Sequence, residues 1–153
     1  MTQSKTLRRR ELALLLGVAL AALLGVWLDG AQAALSDRVI RLHVLANSDS
    51  EADQALKLRV RDAVLAEAEE LFVPGAGRAE TEELLRAHLY DLAAAGAEVV
   101  GEAGYSYPVT ASLVHDYWFP PKTYTDFALP AGAYTALRIE IGAGGGQNWW
   151  CVV

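Results

Sequence analysis

The feature that most limits what this chain can fold into is an abrupt change of hydrophobic period between Val39 and Phe72. Val39 to Ala46 alternates as a β-strand does, with Ile40, Leu42, Val44 and Ala46 on one wholly apolar face. That face is the expected core side. Val39, Arg41, His43 and Leu45 fall on the other, expected to be less buried unless a helix or another strand covers it. The turn Asn47-Ser48-Asp49-Ser50 follows, and a helical pattern begins at once. Ser48 with Glu51 and Ser50 with Asp53 both have capping-box spacing, which predicts a strand-to-helix junction closed by side-chain hydrogen bonds.

Residues 50–72 read as one helix. Leu56, Val60, Ala63, Val64 and Leu71 share a broad face, while Leu58, Leu65 and Phe72 recur every seven residues on nearly the opposite side. A helix apolar on two sides is expected to lie between a sheet and a second helix. Pro74-Gly75-Ala76-Gly77 predicts a loop. Thr81 to Ala95 predicts the second helix, with Leu84, Leu85, His88, Leu89 and Leu92 as its stripe, acidic residues in its first turn and Gly96 as its stop. His88 on that stripe reads as a core or boundary histidine. Val99 to Gly104 is then a link to a β-rich half. Strands are expected at Tyr107 to Val114 and Ala133 to Gly142, separated by the crossing Tyr117-Trp118-Phe119-Pro120-Pro121, with Trp149 to Val153 as a final edge strand. The order β-α-α-β-β predicts an α+β fold, two helices on one face of a small, mostly antiparallel sheet.

The first 33 residues look like an export signal. Lys5, Arg8, Arg9 and Arg10 make a basic start, Leu12 to Leu28 is apolar, and Ala31-Gln32-Ala33 has the small-x-small form of a cleavage site. The alternative is an uncleaved anchor with its basic end in the cytoplasm, although the run falls slightly short of the roughly 20 apolar residues of a bilayer crossing. Either way residues 34–153 are expected outside the cytoplasm as a single exported domain, touching the membrane only through residues 12–28 if the leader is retained. That domain carries 9 Lys and Arg against 17 Asp and Glu, so its net charge is −8 where the whole chain has −6. An acidic domain without a basic stripe argues against nucleic acid as a partner. Cys151 is the one cysteine; it is either a buried core residue, as its neighbours Trp149, Trp150, Val152 and Val153 favour, or a thiol that pairs with another chain.

Catalytic patterns are weak. His43, His88 and His115 have neither H-E-x-x-H spacing nor a Cys-x-x-Cys partner, so no metal site and no cofactor are predicted. A hydrolase triad would have to combine Ser48 or Ser50 with His43 or His115 and Asp49 or Asp116, and no G-x-S-x-G elbow is present. The glycines of 142–146 lack both phosphate-loop spacings and read as a flexible hairpin or loop. Aromatic residues crowd the C-terminal half. Trp150 and Tyr107 are expected in the core, and some of Tyr117, Trp118 and Phe119 at an interface.

As literal strings, several blocks are distinctive: L-H-V-L-A-N-S-D-S, D-Q-A-L-K-L-R-V-R-D-A-V, Tyr107-Pro108-Val109, Tyr134 to Ile139, and Gly146 to Val153. Together and in this order they resemble the stage II sporulation protein R family, secreted signalling proteins of endospore-forming bacteria. The resemblance implies a protein made in the forespore and exported into the space between the forespore and mother-cell membranes. Its implied partner is a membrane-embedded aspartic protease of the mother cell, which then cleaves the precursor of the mother-cell sporulation sigma factor. It implies an activating ligand, not an enzyme, and the chain lacks the Asp-Thr/Ser-Gly motif of an aspartic protease. Family members continue past Trp-Trp-Cys-Val-Val into a short Pro- and Cys-containing end, so a C-terminus truncated relative to the family, and a second cysteine beyond Val153, are also implied. The candidate partner-binding residues are His43, Asn47, Ser48, Asp49, Asp53, Gln54, Tyr117, Trp118, Phe119, Gln147, Asn148 and Trp149. The alternatives are an exported cell-wall or peptide hydrolase and a membrane-anchored structural protein.

Overall fold

Alternation from Ile40 to Leu45 makes β1, and the Ser50 hydroxyl starts the helix beyond it by accepting the backbone N–H of Asp53 at 3.2 Å. The computed structural model describes residues 9–36, 38–71, 75–125 and 127–152. It divides into two units, Met1–Leu35 and Ser36–Val153. Helix α1 (Arg9–Ser36) occupies the first, with its large apolar side chains from Leu12 to Trp27 exposed. Among the described residues no helix is long and apolar enough to cross a membrane. The basic residues Lys5 and Arg8, and the expectations for Phe72, Pro74 and Val153, lie outside the described residues.

The second unit runs β1 (Ile40–Leu45), α2 (Glu51–Leu71), α3 (Arg78–Ala87), α4 (Leu89–Glu102), β2 (Val109–Phe119), β3 (Lys122–Thr123), β4 (Ala128–Leu129), β5 (Gly132–Ile141) and β6 (Asn148–Val152). It is α+β, but more divided than the expected β-α-α-β-β. The main sheet has the order β2-β5-β1-β6, and β3-β4 form a separate two-stranded ribbon. The sheet is mixed: β1 runs parallel to β5, with Leu42 opposite Leu137, while β2–β5 and β1–β6 are antiparallel. A parallel neighbour needs a long crossover, and here three helices, β2 and the β3-β4 ribbon supply it.

The expected second helix is two helices. The chain breaks at His88, whose backbone leaves helical geometry (φ −108°, ψ 16°) while its N–H still reaches the carbonyls of Leu84 and Leu85. His88 Nδ1 lies 2.9 Å from Asp91 Oδ2 in the first turn of α4, so this histidine sits at a boundary. Gly96 is not a stop: α4 passes through it to Glu102 and absorbs the expected link. A Cβ on Gly96 would lie 3.0 Å from Val109 Cγ1 and 3.1 Å from Val60 Cγ1, so the glycine lets α4 approach α2 and β2 closely.

Two cores lie on the two faces of the sheet. Leu56, Val60, Val64 and Ala68 of α2 join Leu85, Leu92 and Val100 against Ile40, Leu42, Val44, Leu137, Ile139 and Ile141. This is the core the alternating pattern predicted. The opposite face, expected to be less buried, is also closed: Arg41 is 0% and His43 1% exposed. A second cluster of Phe119, Tyr134 and Ala136, flanked by Tyr117 and Trp150, covers them. A β-bulge makes this possible. The β2–β5 register slips between Val114 and Tyr117, where Asp116 takes a positive φ of 54°. One inserted residue inverts the alternation. Ala111 and Leu113 therefore point to the helices, whereas Tyr117 and Phe119 point to the other face.

Candidate functional site

The β1–α2 junction is a closed hydrogen-bond network. Asp53, 5% exposed, accepts at Oδ2 from Ser48 Oγ at 2.6 Å and from Asn47 Nδ2 at 2.9 Å. The Ser48 hydroxyl, and after it the Asn47 amide and the Tyr107 hydroxyl, hold this carboxyl below the usual carboxylate range against the opposing effect of burial. Ser48 Oγ also accepts from the Ser50 N–H, and Gln54 Nε2 donates to the Ser48 carbonyl at 2.9 Å.

The loop between β5 and β6 closes on this turn. Ala143 N–H donates to Asn47 Oδ1 at 3.0 Å, Gln147 N–H to Asp49 Oδ1 at 2.7 Å, and Gly146 N–H to the Ala46 carbonyl at 2.9 Å. Lys57 Nζ joins the two segments, donating to Gln54 Oε1 at 2.6 Å and to the Gln147 carbonyl at 2.9 Å. The glycine run is therefore the loop form of the expected hairpin or loop, and these hydrogen bonds fit it to the turn. Gly142 has φ 61° and faces the Asn47 amide, and a Cβ on Gly146 would strike the Ser48 carbonyl. Asn47, Ser48, Asp49, Asp53, Gln54 and Gln147 are thus brought together, chiefly by bonds to one another.

The second face is assembled differently. The His43 ring lies 4.8 Å from Tyr117 and within 6.3 Å of both Phe119 and Trp150. Neither ring nitrogen has a hydrogen-bond partner of good geometry, and burial lowers the His43 pKa from its ordinary value. Asn148 is near enough to oppose that shift in part. The Arg41 guanidinium sits 4.5 Å over the Phe119 ring and 5.1 Å from the Tyr134 ring, and Nε donates to the Cys151 carbonyl at 3.2 Å. Phe119, 0% exposed, is a core residue here, whereas Trp118 is 63% exposed. The bulge that turns Phe119 inward turns Trp118 out.

Beside this core a cleft of about 300 Å³ is lined by Arg41, Pro120, Pro121, Lys122, Asn148, Trp149 and Trp150. The Trp149 ring is stacked by Arg61 at 4.5 Å and approached by Lys122 at 5.9 Å. Asn148 and Trp149 belong to the expected surface. Arg41, Lys122 and the proline pair escaped sequence reasoning; the signal available was a cation on an otherwise apolar strand and a Pro-Pro-Lys run beside aromatics. Cys151 is half-buried, and burial pushes its thiol pKa up, so it is a poor nucleophile here.

The arrangement nearest to a catalytic triad is one the sequence did not suggest. His115 Nδ1 lies 3.3 Å from Thr135 Oγ1 and its Nε2 lies 3.4 Å from Glu82. Thr135 is 6% exposed, and its oxygen already accepts from Arg78 Nη1 at 2.8 Å. A hydroxyl so placed ties α3 to the sheet and has no room for an acyl or glycosyl group. Ser50 is engaged as the cap of α2; Ser48 makes no bond to Glu51 and is engaged instead by Asp53 and the Ser50 N–H, and the junction's hydrogen bonds include no histidine. Among the described residues no three His, Cys, Asp or Glu converge to hold a metal.

The pattern of the family described as Stage II sporulation protein R matches residues 36–153, the whole of the second unit. Over 119 residues the chain is 36% identical to the Stage II sporulation protein R of Bacillus subtilis (strain 168). That alignment takes in 78% of this chain and 53% of the relative, so the chain spans about half the length of the curated relative it matches. No solved structure matches it. With the junction, the aromatic face and strand β6 all inside the matched region, the chain belongs to the stage II sporulation protein R family, and its role is in sporulation.

Proposed function

We propose that this protein is an exported signal of endospore formation, acting in the space between the forespore and mother-cell membranes. It activates a membrane-embedded aspartic protease of the mother cell, which cleaves the precursor of the mother-cell sporulation sigma factor. The observation that carries this reading is the family match across residues 36–153. The export-signal pattern of residues 1–33 supports the address, and the engagement of Ser48, Ser50 and Thr135 in structural bonds supports a ligand over a hydrolase. A ligand of this kind works by binding the active state of its receptor more tightly than the inactive one.

The test is reconstitution in a non-sporulating host that makes the protease, the sigma precursor and this chain. Precursor cleavage is expected to need the chain, to saturate with its dose, and to vanish when residues 1–33 are deleted so that the chain stays inside. Cleavage without the chain would overturn the reading. Loss of signalling by several orders of magnitude on a single alanine change at His43, Ser48, Asp49 or His115, with folding and receptor binding intact, would replace it with the hydrolase.

A further inference from the structure

Among the described residues, buried side-chain nitrogens and oxygens without a partner occur on His43, Tyr124 and Arg138 and at the cleft beside β6. Arg41 Nη1 and Nη2 and the Trp150 indole N–H are buried without an acceptor, and Trp149, whose indole N–H has only the Cys151 thiol beside it, lines the cleft with them. The Tyr124 hydroxyl, close enough to feel the charge of Arg41, is buried without a partner as well. Native proteins satisfy nearly all such groups, so a cluster of unpaired donors around one cavity calls for an acceptor that arrives from outside.

The charge of that acceptor follows from the lining. The cleft is bordered by the cations Arg41 and Lys122 and by no carboxylate. Neither cation is in an ion pair among the described residues, although the domain around them is strongly acidic. The shape of the acceptor follows from the walls. A guanidinium presents parallel N–H groups that match the two oxygens of a carboxylate. Pro120, Pro121 and the two indoles supply rigid apolar surface of the kind that holds a peptide chain.

We propose that this cleft binds a carboxylate carried on a peptide, the carboxylate facing the Arg41 guanidinium and the Trp150 indole N–H, with Lys122 and the ring of Trp149, which β6 turns toward the helix side, at the rim. The Arg41 nitrogens are sealed from water in the free chain, so direct contact requires a small outward shift of the Pro120-Pro121-Lys122 segment. The site stands on the lining of the cleft and is independent of the receptor named above.

The test uses the whole chain labelled with nitrogen-15, following the four tryptophan indole N–H resonances. The probes are acetyl-Gly-Glu-Gly-amide, its Gln counterpart, and free acetate. The Glu peptide is expected to shift Trp149 and Trp150 saturably, leaving Trp27 and Trp118 in place, and to bind about tenfold or more tightly than either other probe, a difference of about one charge-assisted pair. Arg41→Gln should abolish the shift. Because that buried change can disturb folding, Lys122→Gln and Lys122→Glu at the exposed rim give the second measure, weakening binding in that order while the rest of the spectrum is unchanged. Absence of a saturable shift with the Glu peptide, or equal binding of the Gln peptide, would overturn the site. Acetate binding as tightly as the Glu peptide would overturn the assignment to a peptide. The measurement involves neither protease nor precursor, so failure here and failure of the signalling reading are separate results.

Discussion

The two polar regions of the second unit, the β1–α2 junction and the aromatic face across the sheet, differ in how completely they satisfy themselves. At the junction, the side chains of Asn47, Ser48, Asp49, Asp53, Gln54 and Lys57 all find partners in their own turn or in the facing glycine loop. On the aromatic face Arg41, His43 and Trp150 keep ring or guanidinium nitrogens without a partner of good geometry. A closed network adds rigidity and little capacity for new bonds. An open one stores binding capacity. Blocks that look equally distinctive in sequence therefore differ in kind: the junction satisfies its own polar groups, and the face beside β6 keeps donors unpaired.

Three tests would break or sharpen that contrast. The largest effect is expected from Phe119→Ala, which empties the centre of the second core and removes the ring under Arg41; a loss of about 3–5 kcal/mol is expected in urea unfolding. A loss below about 1 kcal/mol, within the range of an ordinary surface change, would mean that this face is not a core. Gly146→Ala comes next, at about 1–3 kcal/mol, because its Cβ meets the backbone carbonyl of Ser48 and something must shift. Thermal unfolding of the variant measures it. Stability unchanged from the parent would show that the glycine loop is looser than its hydrogen bonds imply.

The smallest effect separates the two regions by pH. His43 has a lowered pKa in the folded state, so the unfolded chain takes up the proton first, and stability falls as pH drops from about 6.5. Asp53 also has a lowered pKa, and its contribution is retained until pH falls below the ordinary aspartate range near about 3.9. Stability measured against pH should therefore lose its upper step in His43→Leu and its lower step in Asp53→Asn. Identical profiles in His43→Leu and the parent would mean that the buried imidazole does not govern the upper window.

Much of the first region was legible in the sequence because its chemistry is local. Alternation over Ile40 to Leu45, Ser50 placed three residues before Asp53, and the spacing of Leu56, Val60 and Val64 each express a rule that operates within a few residues. The division at His88 was hidden because the leucine stripe continues through it with helical spacing. Phe119 was open to misreading as a surface aromatic because the bulge at His115 and Asp116 inverts the face of every residue after it.

By itself, then, the sequence determined the α+β class, the strand-to-helix junction, the main core face of β1 and the family. Each is written in short periods, capping residues or contiguous blocks. Only the tertiary structure decided that β1 lies parallel to β5, that the glycine loop locks onto Asn47 and Ser48, and that Arg41, Lys122 and the two tryptophans surround one cleft. Those outcomes depend on contacts between residues some 80 to 110 positions apart, such as Arg41 with Cys151 at a separation of 110. No local period encodes such contacts: they follow from which strand pairs with which, and from the single bulge that sets the face each side chain takes.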